Sequence, residues 1–205
     1  MKVYSLLNEQ EEFDIEKFLR DCKEYLKIAA SAKHEMYRGM ELPGGDWMIA
    51  KSLKNRKPLM SSPELHHAVD ALMKSIVGWN TRSEGVFVTA SAQQASHYGS
   101  KICVIYPVGQ FKIAWSPNVD DVTGMFIRNQ NAKNDTDEKA IAAAIKQLKA
   151  APWSVDMADF LNRPPVLRAT FWDLNFEGAL HCTSYYAVQR GSDTHHLINE
   201  TLGRA

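Results

Sequence analysis

Apolar residues recur along this chain either at helical spacing or in short strand-like runs. The first pattern predicts helices and the second predicts strands. Helical spacing predicts helices at 14–33, 63–77, 92–98, 136–150 and 155–161. Two of them carry start signals, because Asp14 fits an N-cap and Ser62 precedes a proline at the first helical position. Gly78 fits the position that ends the second helix.

Strands are predicted where β-branched and aromatic residues form short runs between turn residues. These runs lie at 35–40, 86–88, 102–106, 111–115, 166–171 and 178–188. We expect 111–115 to be the neighbour of 102–106, and 43–62 to be a loop after the turn signal Pro43-Gly44-Gly45. Because helices and strands do not alternate as in a parallel doubly wound sheet, the predicted fold class is α+β.

Composition and charge are those of an ordinary soluble protein. The chain has 205 residues, of which 45% are hydrophobic, and its 24 Lys and Arg balance its 24 Asp and Glu. The zero net charge gives no indication of a nucleic acid or an anionic membrane as partner. Early acidic residues and the absence of a long apolar run argue against a signal peptide or a membrane span, so we expect a cytoplasmic protein.

Cysteine and histidine residues give no pattern typical of a metal centre. The cysteines are far apart, lack C-x-x-C spacing and are predicted to be buried thiols in a reducing compartment: Cys22, Cys103 and Cys182. On the helix at 63–77, Glu64 and His67 share a face without a third ligand. We interpret these residues, with the adjacent His66 and Asp70, as solvated helix residues, and we predict no metal.

Three separated segments carry a recognisable series of motifs. They are Tyr37-Arg38-Gly39 in a strand, Thr89-Ala90-Ser91 where a strand leads into a helix, and Asn175-Phe176-Glu177 before a strand. Their order resembles the ADP-ribosyltransferase superfamily, in its toxin-like and phage-modifying arginine-serine-glutamate branch. The stretch from Gly85 to Tyr98 also resembles the polymerase-type pattern of that superfamily, in which a tyrosine stacks on nicotinamide.

This resemblance implies a fold and a set of partners. It implies a single domain over residues 1–190, with a split antiparallel sheet around an NAD cleft and flanking helices. We expect residues 191–205 to be a C-terminal tail, loosely held from Arg190 onward. NAD would be a substrate and a protein or nucleic acid the acceptor, in the cytoplasm of a host cell if the chain is phage-encoded.

The chemistry of NAD cleavage assigns the polar motif residues. A carboxylate stabilises the oxocarbenium-like ribose, and Glu177 is the catalytic candidate. An arginine fork suits pyrophosphate and ribose, and Arg38 is the candidate. Thr89 and Ser91 leave room for the ribose and supply hydroxyls. Taken singly, Arg38 could instead form a surface ion pair, Thr89 and Ser91 could cap the helix, and Glu177 could be a turn residue.

Nicotinamide needs an aromatic face and hydrogen bonds at its edge. Tyr98 is the predicted stacking residue, and the Gly39 backbone is predicted to meet the nicotinamide amide. Tyr98 could also be an ordinary packing aromatic at the end of a helix.

Three functions fit these motifs. The first is an NAD-dependent mono-ADP-ribosyltransferase that releases nicotinamide. A non-catalytic binding or virion-associated protein of the same fold is favoured by Asn175, where arginine-specific members carry Glu or Gln, and by Ala95, where polymerase-type members carry serine. An NAD glycohydrolase, in which water replaces the acceptor, is the third.

Overall fold

The computed structural model describes residues 12–58, 61–119, 138–162 and 177–204. The helices are α1 (Ile15–Asp21), α2 (Lys23–Ala29), α3 (Pro63–Val77), α4 (Thr81–Glu84), α5 (Ala92–Ala95), α6 (Glu138–Ala150), α7 (Met157–Asn162) and α8 (Asp193–Thr201). The strands are β1 (Tyr37–Met40), β2 (Trp47–Lys51), β3 (Val86–Thr89), β4 (Lys101–Pro107), β5 (Lys112–Trp115), β6 (Glu177–His181) and β7 (Ser184–Gln189).

All of these strands join one antiparallel sheet, in the order β2-β7-β4-β1-β3-β6-β5. The two central strands, β1 and β3, meet at a single residue pair, Tyr37 with Thr89. By contrast, β4 and β7 pair over five residues and β3 and β6 over four. The predicted α+β class is confirmed.

The two faces of the sheet are covered by different helices. One face packs against α1, α2, α7 and α8 in the larger core, where Phe18 meets the rings of Tyr106 and Tyr186 edge-on. The other face packs against α3 and α6 in a smaller core. Alternation along β3 explains this division, because Val86 and Val88 lie in the larger core and Phe87 packs on the smaller one.

Local sequence signals account for where the helices start and stop. The Asp14 carboxylate accepts a hydrogen bond from the backbone N–H of Lys17, and the Ser62 hydroxyl accepts one from Leu65. Gly78 ends α3 in the left-handed conformation with φ 87°. The predicted helix at 14–33 is confirmed, but it is divided at Cys22.

Two predictions about strands are wrong, and the run predicted at 178–188 is divided into β6 and β7, which are not neighbours in the sheet. Residues predicted as a loop at 43–62 include β2, which forms a five-residue ladder with β7. Segment 111–115 does form a strand, but β5 pairs with β6 at the far edge of the sheet and not with β4. Both errors concern long-range pairing, which a local pattern does not encode. The strand predicted at 166–171 lies outside the described residues.

The expectation of a loosely held chain from Arg190 onward is also wrong. Residues Asp193–Thr201 form α8, capped by the Ser192 hydroxyl, and Ile198 is fully buried in the larger core. His195 donates from Nε2 to Glu35 over 3.0 Å, and its Nδ1 accepts the backbone N–H of Gly191. This helix is short and mostly polar, so its sequence did not predict that it packs against the rest of the protein.

The cysteines are confirmed as buried thiols, and none forms a disulfide. Burial raises the pKa of Cys103 to about 11, so this thiol stays protonated at neutral pH. In the part of the chain that the structure describes, no helix is long and apolar enough to cross a membrane.

Candidate functional site

One residue from each of the three motifs lies at the junction between β1, β3 and β6, while Asn175 and Phe176 lie outside the described residues. Thr89, the last residue of β3, pairs with Tyr37 of β1 on one side and with Glu177 of β6 on the other. Residues far apart in sequence therefore lie at neighbouring positions of three adjacent strands.

Arg38 links β1 to β3 beyond this junction. Beyond the Tyr37–Thr89 pair the two strands share no further ladder positions, and Arg38 Nη1 donates to the carbonyl of Phe87 over 2.8 Å. Its Nε is buried and has no hydrogen-bond partner among the described residues. Within those same ranges no carboxylate forms an ion pair with Arg38.

The positive charge of Arg38 acts in a partly apolar environment. Burial raises the pKa of Tyr185, and the nearby Arg38 charge opposes that effect. The same charge also acts on Cys103, its cross-strand neighbour on β4. A cation in such a setting is strongly attractive to an anionic group that approaches it.

Hydrogen bonds join Thr89, Ser91 and Gln94 in the turn after β3. Thr89 Oγ1 accepts the backbone N–H of Ser91 over 3.1 Å and donates to Gln94 Oε1 over 2.7 Å. Ser91 Oγ accepts the backbone N–H of Gln94, so Ser91 is the N-cap of α5. Thr89 and Ser91 therefore do cap and brace the turn, as one interpretation of the sequence held.

Gln94 belongs to this site and was missed by the sequence reasoning. It is 3% exposed, and its Nε2 has no partner in the described part of the chain. The signal that could have indicated it is the Ser-x-x-Gln spacing from Ser91 to Gln94, which is typical of a capping box. Gln94 thus places a second buried donor beside the junction.

Two glycines allow the segment after α5 to lie directly on β1. A Cβ on Gly39 would clash with the carbonyl of Ala95 and lie 2.8 Å from the backbone N of Gly99. A Cβ on Gly99 would lie 2.6 Å from the Cα of Met40. Because Gly39 has no side chain, the backbone of Ala95 and Gly99 can lie against it. We had expected this space to admit a ligand.

Tyr98 is held by this contact and is about half exposed. Its backbone N–H donates to Ala95, and Ser100 just beyond it donates to the Glu41 carboxylate from both its N–H and its hydroxyl. Tyr98 is 52% exposed. It is therefore not a buried packing aromatic.

Two further arginines approach Phe87, the residue whose carbonyl Arg38 contacts. The Arg56 guanidinium lies 4.1 Å from the ring centroid of Phe87 and donates twice to the carbonyl of Arg82. Arg82 lies 5.6 Å from the same ring. Three guanidinium groups thus surround β3, a cluster that sequence spacing alone did not indicate because the loop at 52–58 supplies Arg56.

The predicted solvation of the α3 polar residues is wrong for His66 and Asp70, which are both buried. The Ser83 hydroxyl donates to Asp70 and lies 3.0 Å from His66 Nε2. Burial lowers the pKa of His66, so this ring is neutral at pH 7. Because the serine proton goes to the carboxylate, this cluster lacks the serine-histidine-aspartate relay of a hydrolase and instead joins α3 to α4.

The donors at the junction suit an oxygen-rich organic ligand better than a metal. Arg38 Nε and Gln94 Nε2 are both buried and unpaired in the described ranges, and both require an acceptor. No group of three or more potential metal ligands occurs among the described residues. Comparisons of the chain with protein-family models, with curated proteins and with solved structures found no match.

Proposed function

We propose that the protein is an NAD-dependent mono-ADP-ribosyltransferase that transfers ADP-ribose to a macromolecular acceptor. The observation that carries this proposal is the register of the sheet junction, where Thr89 pairs with both Tyr37 and Glu177. The resemblance of the three motifs to the superfamily concerns the same residues. Sequence order alone does not require that these segments become neighbours.

The sheet supports the proposal in a second way. The ladder between β1 and β3 in the middle of the sheet is a single residue pair, and Arg38 follows that pair on β1. A split sheet around a nucleotide cleft is the architecture that the resemblance implies. The turn of Thr89 and Ser91 follows this pair, and Tyr98, which is 52% exposed, lies further along the same segment.

The reaction would proceed by exchange at the nicotinamide ribose. The bond from ribose C1′ to the pyridinium nitrogen breaks, and its electron pair leaves with neutral nicotinamide. A nitrogen or oxygen nucleophile of the acceptor forms the new bond to C1′ and loses its proton to solvent. Glu177 would stabilise the positive charge that develops on the ribose, and Arg38 would bind the pyrophosphate.

The test is incubation of the purified protein with NAD labelled in the adenylate half and with cell lysate. The proposal predicts transfer of label to macromolecules and release of one nicotinamide for each ADP-ribose transferred. Separate digestion with protease and with nuclease identifies the class of acceptor. Labelled macromolecules that form equally well without the protein would contradict the proposal.

The same assay separates the proposal from its two competitors. Nicotinamide release at full rate without any lysate, and without labelled macromolecules, identifies an NAD glycohydrolase. Binding of NAD without nicotinamide release under any condition identifies a non-catalytic protein. Either result overturns the transferase assignment.

A further inference from the structure

We propose that Gln94 binds NAD directly, through a hydrogen bond from its carboxamide Nε2 to an oxygen of the nicotinamide riboside half. This inference rests on the proposed function and adds to it a residue that neither the motifs nor the resemblance assigns. The observation behind it is a carboxamide that is almost fully buried, half satisfied and adjacent to the junction of β1, β3 and β6.

The hydrogen bonds of the turn explain why the Gln94 nitrogen is left over. In a capping box the glutamine side chain reaches back to the backbone N–H of the N-cap serine. Here Thr89 Oγ1 accepts a hydrogen bond from the backbone N–H of Ser91, and the Thr89 hydroxyl donates a hydrogen bond to Gln94 Oε1. Because Thr89 occupies both the N–H and the carboxamide oxygen, Gln94 Nε2 keeps two protons and no acceptor among the described residues.

An unpaired buried donor destabilises the folded protein relative to the same group in a hydrogen bond. Native proteins retain such groups rarely, and a ligand acceptor is one of the reasons. Arg38 Nε is a second buried donor without a described partner, and Arg38 directly follows Tyr37 on β1. Gly39, the next residue, contacts the carbonyl of Ala95, which is the residue after Gln94.

The two donors lie on neighbouring parts of the junction, because Gln94 is bonded to Thr89 and Thr89 pairs with Tyr37, the residue before Arg38. A ligand that satisfies both must present at least two acceptor oxygens. The nicotinamide riboside half of NAD offers the carboxamide oxygen and the ribose hydroxyls. Gln94 is neutral, so it suits these uncharged oxygens, while Arg38 suits the pyrophosphate.

The test compares two substitutions at Gln94 with the same substitutions at Gln93, which is exposed on the same short helix. Gln94→Glu keeps an oxygen that accepts from Thr89 and removes the donor. Gln94→Met keeps the side-chain volume and adds no charge. Calorimetric titration of each variant and of the wild type with NAD, with ADP-ribose and with nicotinamide gives the dissociation constants, and thermal unfolding verifies the fold.

We expect both Gln94 variants to bind NAD about tenfold more weakly than their Gln93 counterparts, the loss expected for a hydrogen bond to a buried donor. A loss that extends to nicotinamide but not to ADP-ribose assigns the bond to the carboxamide oxygen. The reverse assigns it to a ribose oxygen. Either result supports the inference.

Other outcomes overturn the inference and remain distinguishable from failure of the proposed function. If the wild type binds NAD and the Gln94 variants match the Gln93 variants, Gln94 does not contact the ligand, and the proposed function is unaffected. An equal loss for all three ligands indicates a collapsed turn and not a lost contact. If the wild type itself binds no NAD, the proposed function fails as well.

Discussion

Arg38 shows why a single residue type matters at the junction. One of its nitrogens bridges to the Phe87 carbonyl, while its buried Nε still needs an acceptor. A lysine has one ammonium group and cannot do both, so we expect Arg38→Lys to bind NAD at least about tenfold more weakly. Titration with NAD measures this, with Arg20→Lys on the exposed face of α1 as the control. An Arg38→Lys protein with wild-type affinity would remove Arg38 from the proposed site.

Tyr98 allows the ring and the hydroxyl to be tested separately. Its ring is 52% exposed on a fixed backbone, and stacking requires the ring alone. We expect Tyr98→Phe to retain NAD affinity, and Tyr98→Ala to lose on the order of 1 to 3 kcal/mol of binding free energy. Equal NAD affinities for the two variants would show that the ring does not stack on the ligand.

At the scale of elements, the contact between β1 and the segment after α5 fixes the site. Gly99 lies against Met40 with no room for a side chain. We expect Gly99→Ala to destabilise the protein by about 1 to 3 kcal/mol, as overpacking does in a filled interior. Gly44→Ala is the matched control, because nothing lies within 4 Å of its added carbon. Denaturant unfolding measures both, and equal stabilities would contradict the close approach.

The docking of α8 gives a prediction about pH. Burial alone would raise the pKa of Glu35, but hydrogen bonds from His195 and Tyr37 outweigh it and hold this pKa below its usual range. A carboxyl with a lowered pKa stabilises the fold above its unfolded pKa of about 4.3, and this stabilisation is lost as the pH falls through the folded value.

We therefore expect the Tm of the wild type to fall more steeply than that of Glu35→Gln as the pH drops below about 5. The control is Glu24→Gln, which removes an exposed carboxylate that pairs with Lys27 on α2. This control should keep the slope of the wild type. Parallel curves for the wild type and Glu35→Gln would show that the His195 contact does not hold α8.

Sequence predicted those elements whose signals are local. Asp14, Ser62 and Gly78 end or start helices through bonds to residues three or four positions away, so their roles follow from spacing. The strand β2 and the helix α8 depend on partners more than a hundred residues distant, β7 and Glu35. Nothing in the local pattern specifies such partners, and both were missed.

The same distinction applies to the site within the whole molecule. The sequence indicated Arg38, Thr89, Ser91 and Glu177 through their motifs. The sheet brings one residue of each motif into register, because Thr89 pairs with both Tyr37 and Glu177. Gln94 and Arg56 were not found, because their roles depend on which hydrogen bonds Thr89 and Arg82 form. Motifs thus locate the junction, and only the fold shows which of its donors remain unpaired.

The proposed activity of the whole molecule depends most on the charge of Glu177. Glutamine has nearly the same size and can still form hydrogen bonds, but it cannot stabilise a positively charged ribose. The most direct measurement is the rate of nicotinamide release by Glu177→Gln and by the wild type, together with the NAD affinity of each. We predict an affinity within a few-fold of the wild type and a rate lower by at least about a hundredfold. Equal rates of release for the two proteins would contradict the assignment of Glu177 as the catalytic residue.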